Sequence, residues 1–201
     1  MNFLNSILLW TNSSWLELAG TITGLFCIYY EVKEKVLTWP FAIISSAIYG
    51  IFLYQDQLYG QMLFQLVTIP ISIWGWQMWL RQNKQHQHIV KIHNLKRSHW
   101  LLLCGVTLGA TAIAYAIELR FSTSNYIFAD AFSAVLGVIA LILLGAKVIE
   151  QWFLWIIADG VPGLIMLKQG YYPSALLFAC YTSLAIVGYY NWYRRAHVKP
   201  A

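Results

Sequence analysis

Residues 15–32, WLELAGTITGLFCIYYEV, return 113 positions later as residues 128–145, FADAFSAVLGVIALILLG. The registration runs without a gap from 15–79 onto 128–192. Glu17 meets Asp130, Gly24 meets Gly137, Trp39 meets Trp152 and Tyr59 meets Tyr172. Further on, Leu63 meets Leu176, Gly75 meets Gly188 and Trp79 meets Trp192. Each copy is apolar enough for three membrane helices. A repeat of membrane helices points to a transporter with its substrate site between the copies.

Composition points the same way. The 201 residues are 59% hydrophobic and 10% charged, whereas a soluble domain carries about 25% charged residues. Ten Trp, thirteen Tyr and ten Phe have too little polar cover for one soluble core, so the lipid bilayer is the implied partner. The net charge of +5 comes from bases lying between apolar runs. There they set membrane orientation, and no nucleic-acid partner is expected. Cys27, Cys104 and Cys180 lie singly in apolar runs, without CxxC or other metal spacing. No nucleophile motif, P-loop or zinc motif is present, so neither enzyme activity, a cofactor nor a metal is expected. The N-terminus lacks the basic stretch that precedes the apolar core of a cleaved signal peptide.

Seven apolar segments, 15–32, 38–55, 61–80, 99–117, 126–146, 151–168 and 173–193, each approach the ~20 residues a bilayer requires. They predict an all-α integral membrane protein. Its parts are a lead (1–14), a first three-helix repeat (15–80), a basic loop (81–98), a linker helix (99–117), a second repeat (126–193) and a tail (194–201). Three spans invert the chain, so one extra span is needed to make the two triplets parallel. The result is a three-one-three arrangement, like that of full-length SWEET carriers, about an axis along the membrane normal. With the N-terminus outside, the inner segments hold Lys33, Lys35, Arg81, Lys84, Lys91, Lys96, Arg97, Lys147, Arg194, Arg195 and Lys199. The outer ones hold Arg120 and Lys168. Eleven bases against two put the C-terminus in the cytoplasm.

Asp159 is the costliest residue for a bilayer, at about 3 kcal/mol for an acid at mid-depth. It opens Asp159-Gly160-Val161-Pro162-Gly163, a helix-poor run that predicts a broken helix lining a cavity. Trp155, four residues earlier, shares its face. A carboxylate beside an aromatic plane suits a flat cationic ring; packing alone is the competing role. In the first copy Ser46 stands opposite Asp159, with Ser45 beside it and Tyr49 a turn further. Gln65 and Trp76 belong to a stripe with Ile69 and Ser72 on the third helix, where Gln65 can both donate and accept. Tyr181 lies on the matching stripe of the last helix. Trp39 completes the candidate substrate-binding set. Glu17 and Asp130 suit helix N-termini. His86, His88, His93, His99 and His197 lie in polar inner segments. Helix interiors lack a dense acid network, which favours passive transport.

Leu37-Thr38-Trp39-Pro40, Ile44-Ser45-Ser46, Tyr49-Gly50, Gln57-Leu58-Tyr59-Gly60 and Trp74-Gly75-Trp76-Gln77-Met78-Trp79 together resemble the first half of the PnuC vitamin transporters. Glu150-Gln151-Trp152-Phe153-Leu154-Trp155-Ile156-Ile157-Ala158-Asp159 and Gln169-Gly170-Tyr171-Tyr172 resemble the second half. The resemblance covers about residues 15–193. It implies a trimeric, multi-pass facilitator of the bacterial inner membrane. Such proteins move nicotinamide riboside, thiamine or riboflavin downhill, and a cytoplasmic vitamin kinase traps the cargo by phosphorylation. The nicotinamide riboside branch tends to carry Asn where this chain has Ser45 or Asp159. That difference, with Asp159 facing a thiazolium and Gln65 an aminopyrimidine, makes thiamine the expected cargo and nicotinamide riboside the alternative. Riboflavin, a membrane enzyme and a sugar carrier rank lower.

Overall fold

The computed structural model describes residues 15–55, 59–84, 91–121 and 125–197. The lead 1–14, the Gln57-Leu58 step, His86 and His88, the side chain of Glu17 and the tail beyond His197 lie outside that description. Seven helices and no strand make up the described residues: α1 (Trp15–Val32), α2 (Thr38–Gln55), α3 (Tyr59–Lys84), α4 (Arg97–Phe121), α5 (Ile127–Gly145), α6 (Gln151–Gln169) and α7 (Tyr172–His197). The last residues of α3 and α7 are polar or basic, so these helices continue about a turn past the apolar segments.

One expectation fails. The run from Asp159 to Gly163 does not break its helix; α6 is continuous from Gln151 to Gln169 with Pro162 inside it. Proline removes one donor, leaving only the Ala158 carbonyl short of its usual partner. Membrane helices accommodate such a loss through neighbouring groups. Gly160 and Gly163 let α7 approach, and a Cβ added at Gly163 would lie 3.0 Å from Phe178 Cβ. Pro70 lies inside α3 in the same way.

Packing joins α1 to α2 and α2 to α3, and likewise α5 to α6 and α6 to α7. The two groups of three meet where α3 lies on α5 and where α1 lies on α7. α4 stands at the periphery, mainly against α5. It presents Leu101, Leu108 and Ile113 outward. Arg97–Arg120 and Ile127–Gly145 are long and apolar enough to cross a membrane on length and composition alone.

The inner packing is built around four tryptophans. Trp39 lies edge-on to Trp79 at 5.5 Å, and Trp152 edge-on to Trp192 at 5.7 Å. Each pair is seated on a glycine. A Cβ at Gly75 would come within 2.2 Å of the Trp39 ring, and one at Gly188 within 2.4 Å of the Trp152 ring. Trp79 Nε1 donates to the Leu144 and Gly145 carbonyls at 3.3 and 3.2 Å, and Trp192 Nε1 to the carbonyl of Glu31, the repeat counterpart of Leu144, at 3.2 Å. These bonds cross from one group of three helices to the other.

Glu34 and Lys147, themselves 113 positions apart, face each other. Lys147 Nζ meets Glu34 Oε1 at 2.7 Å, and Arg195 approaches Glu34 Oε2 at 3.5 Å. Both turn residues adopt positive φ, 55° and 59°. The α1–α2 turn, the α5–α6 turn and the basic end of α7 therefore share one end of the molecule. Residues 91–96 dock there too: His93 exchanges backbone bonds with Lys147 and Ile149, and Leu95 N donates to Glu150 Oε2 at 2.8 Å.

Candidate functional site

On α6, Gln151, Trp155 and Asp159 follow one another at intervals of four, one face running from the helix start towards its middle. The opposing face of α1 carries Gly24, Cys27 and Glu31, spaced three and four. Asp159 is half-buried. It lies within electrostatic reach of Tyr181 on α7 and of Glu31 on α1. The Tyr181 ring is also close to Tyr49 and Cys27. Absence of a side chain at Gly24 makes this convergence possible. A Cβ there would fall 3.0 Å from the Tyr181 hydroxyl and 3.3 Å from Ser45 Oγ.

Aromatic walls flank the polar groups. Trp155 lies over Gly137 of α5, where an added Cβ would be 3.5 Å from its ring and 3.5 Å from Phe64 of α3. The matched glycines Gly24 and Gly137 thus seat a tyrosine on one side and a tryptophan on the other. Tyr49 packs on Gly20, and its hydroxyl lies 2.7 Å from Thr21 Oγ1. Ser45 Oγ donates to the Gly20 carbonyl at 3.0 Å.

The expected site residues divide into three sets. Asp159, Trp155, Tyr181 and Tyr49 converge with Ser45 around Gly24 and Glu31. Ser46 and Gln65 belong to the α2–α3 contact. There Ser46 Oγ meets Thr68 Oγ1 at 3.0 Å, Thr68 bonds the Gln65 carbonyl, and the Gln65 Cβ lies 3.8 Å from where Gly50 would carry one. Trp39 and Trp76 lie with the inner tryptophans, Trp39 fully buried against Gly75 and Trp79, Trp76 half-buried beside that cluster.

Glu31 is the residue that sequence reasoning missed. Followed by Val32 and Lys33-Glu34-Lys35, it reads as part of a charged turn. The structure buries it to 4% exposure, with Gln151 and Trp155 beside its carboxylate. Its spacing from Gly24 and Cys27 was the available signal. No cluster of three or more potential metal ligands occurs among the described residues.

A half-buried carboxylate, two tyrosines and a tryptophan thus come together within a bundle of apolar helices, the architecture of a multi-span membrane protein. The match to known proteins makes the class specific. The family model for the nicotinamide mononucleotide transporter matches residues 14–194, so the chain belongs to the PnuC family and is a vitamin-type membrane transporter. It is 31% identical to the nicotinamide riboside transporter PnuC of Escherichia coli K12, with 91% of this chain and 87% of that protein covered. To the nicotinamide riboside transporter PnuC of Neisseria mucosa it is 27% identical, covering 89% and 72%. The riboflavin/roseoflavin transporter RibM of Streptomyces davaonensis is 26% identical, covering 98% and 94%. A crystal structure of the vitamin B3 transporter PnuC superposes with a TM-score of 0.74 at 25% identity, covering 94% of this chain and 85% of that one.

Proposed function

We propose that this protein carries a flat, cationic heteroaromatic vitamin down its gradient across the bacterial inner membrane, with nicotinamide riboside the first-ranked cargo. The observation that carries the proposal is Asp159, half-buried on α6, one turn beyond Trp155 and within electrostatic reach of Tyr181. A carboxylate in a low-dielectric, aromatic surround attracts a cation strongly, and the rings add cation–π and stacking contacts. Nicotinamide riboside is a pyridinium cation, and two of the relatives above are named for it. Thiamine, a thiazolium, gives up first place to it. It stays as the second reading because Ser45 and Asp159 stand where the nicotinamide riboside branch tends to carry Asn. Riboflavin, neutral and larger, gains no charge pairing from a half-buried acid.

The recurrence of helix bounds, Trp–Gly seats and cross-bonds at one offset supports two parallel triplets joined by α4, rocking about the site between them. The inward-biased bases support a cytoplasmic C-terminus. Homotrimeric assembly and trapping of the cargo by a cytoplasmic kinase complete the reading. Proteoliposome counterflow tests it. Vesicles preloaded with unlabelled nicotinamide riboside should take up the labelled compound without any ion gradient. Strict dependence on a proton or sodium gradient, or no exchange with either vitamin, contradicts it.

A further inference from the structure

We infer that Glu31, together with Gln151, forms a second subsite that reads the amino-bearing edge of the cargo and so determines its specificity. This rests on the cargo reading above and extends it to Glu31 and Gln151, which that reading leaves without a role.

Three polar groups meet where α1 ends and α6 begins. Glu31 is 4% exposed and Gln151 is 0% exposed. Glu31 Oε1, both polar atoms of the Gln151 amide and Trp155 Nε1 make no well-formed hydrogen bond within 3.5 Å, and Gln151 and Trp155 stand near enough to the carboxylate to act on it as loose donors. Buried polar groups are normally satisfied, so a cluster left open this way calls for a ligand.

The backbone at this place is fixed. The Glu31 carbonyl accepts from Trp192 Nε1, and Gln151 adjoins the fully buried Trp152.

The open atoms specify the complement. Ionised Glu31 accepts only, Gln151 donates and accepts, and Trp155 donates. A planar edge with an N–H₂ beside an acceptor fits: the amino group donates to Glu31, and its neighbouring acceptor takes the Gln151 amide proton. A ring carboxamide and an aminopyrimidine both have such an edge. Asp159, two turns along the same face from Gln151, then lies towards the cationic part of the same molecule. A carboxylate in place of the carboxamide would face Glu31 and be repelled.

The test is calorimetric titration of the purified full chain and its E31Q variant, which keeps side-chain size. Nicotinamide riboside is compared with nicotinic acid riboside, and thiamine with its 4-oxo analogue. The wild-type chain should prefer the amino-bearing member of whichever pair it binds by at least tenfold. E31Q should shrink that preference by tenfold or more, with the fold verified by an unchanged thermal unfolding curve. E31A should weaken the amino-bearing ligand and spare its analogue. An unchanged preference in a folded E31Q chain overturns the subsite alone. A wild-type chain that binds none of the four overturns the cargo reading, and the subsite with it.

Discussion

Two glycines show how tightly single residues constrain this molecule. A methyl group at Gly75 or Gly188 would penetrate the ring of Trp39 or Trp152, as the 2.2 and 2.4 Å approaches show. Overpacking of this kind costs about 1–3 kcal/mol and sometimes more. Gly75→Ala and Gly188→Ala should each lower the unfolding temperature in detergent by several degrees, read from tryptophan fluorescence. Gly105→Ala is the control: nothing lies within 4 Å of its added Cβ, and better helix propensity should leave the midpoint equal or higher. A matching loss at Gly105 would contradict the seats. Asp159→Asn keeps shape and removes charge. Affinity for the cationic vitamin should fall at least tenfold in a binding titration, and an unchanged affinity would remove charge pairing from the account. Sequence alone singles out Asp159 as a candidate, because an acid within an apolar run is costly in a bilayer. Glu31 stayed hidden because it borders charged residues, and only the packing of α6 on α7 and α1 on α7 brings Gln151 to it.

At the scale of elements, the turns between α1 and α2 and between α5 and α6 hold the two groups of three helices together. The Lys147–Glu34 pair joins them, with side chains 10% and 22% exposed. That places it between surface pairs, worth under about 1 kcal/mol, and buried ones, whose breakage costs about 3–5 kcal/mol. A double-mutant cycle with Glu34→Ala and Lys147→Ala should return a coupling of about 1–3 kcal/mol. The charge-reversed double variant, E34K with K147E, should recover part of the stability lost by either single reversal. Recovery stays partial because Arg195 also approaches Glu34. Zero coupling would reduce the contact to an incidental one. The helices themselves were legible from hydropathy, since the seven apolar segments fall on the seven observed helices. The expected break at Gly160-Val161-Pro162-Gly163 was misread for a physical reason. Glycine and proline weaken an isolated helix, but in α6 they make room for α7, and tertiary packing outweighs propensity.

At the scale of the molecule, the repeated offset runs through helix bounds, glycine seats and cross-bonds, whereas the proposed binding groups depart from it. Glu31 stands opposite Leu144, and Asp159 opposite Ser46. A symmetric frame with unlike residues at its centre suits an asymmetric cargo. The frame was visible in sequence because glycines and tryptophans recur at one spacing; which side chains converge depends on helix rotation, which spacing does not give. Orientation is open to a direct check. A green fluorescent protein fused after Ala201 should fluoresce in cells, and alkaline phosphatase at the same place should be inactive; the opposite pattern would invert the topology. The most direct test of the central claim is calorimetric titration of nicotinamide riboside, thiamine and riboflavin into the purified chain. A cationic vitamin should bind at least tenfold more tightly than riboflavin, and that preference should vanish in Asp159→Asn. Binding of riboflavin alone, or equal binding of all three, would contradict a site built around the half-buried Asp159 carboxylate.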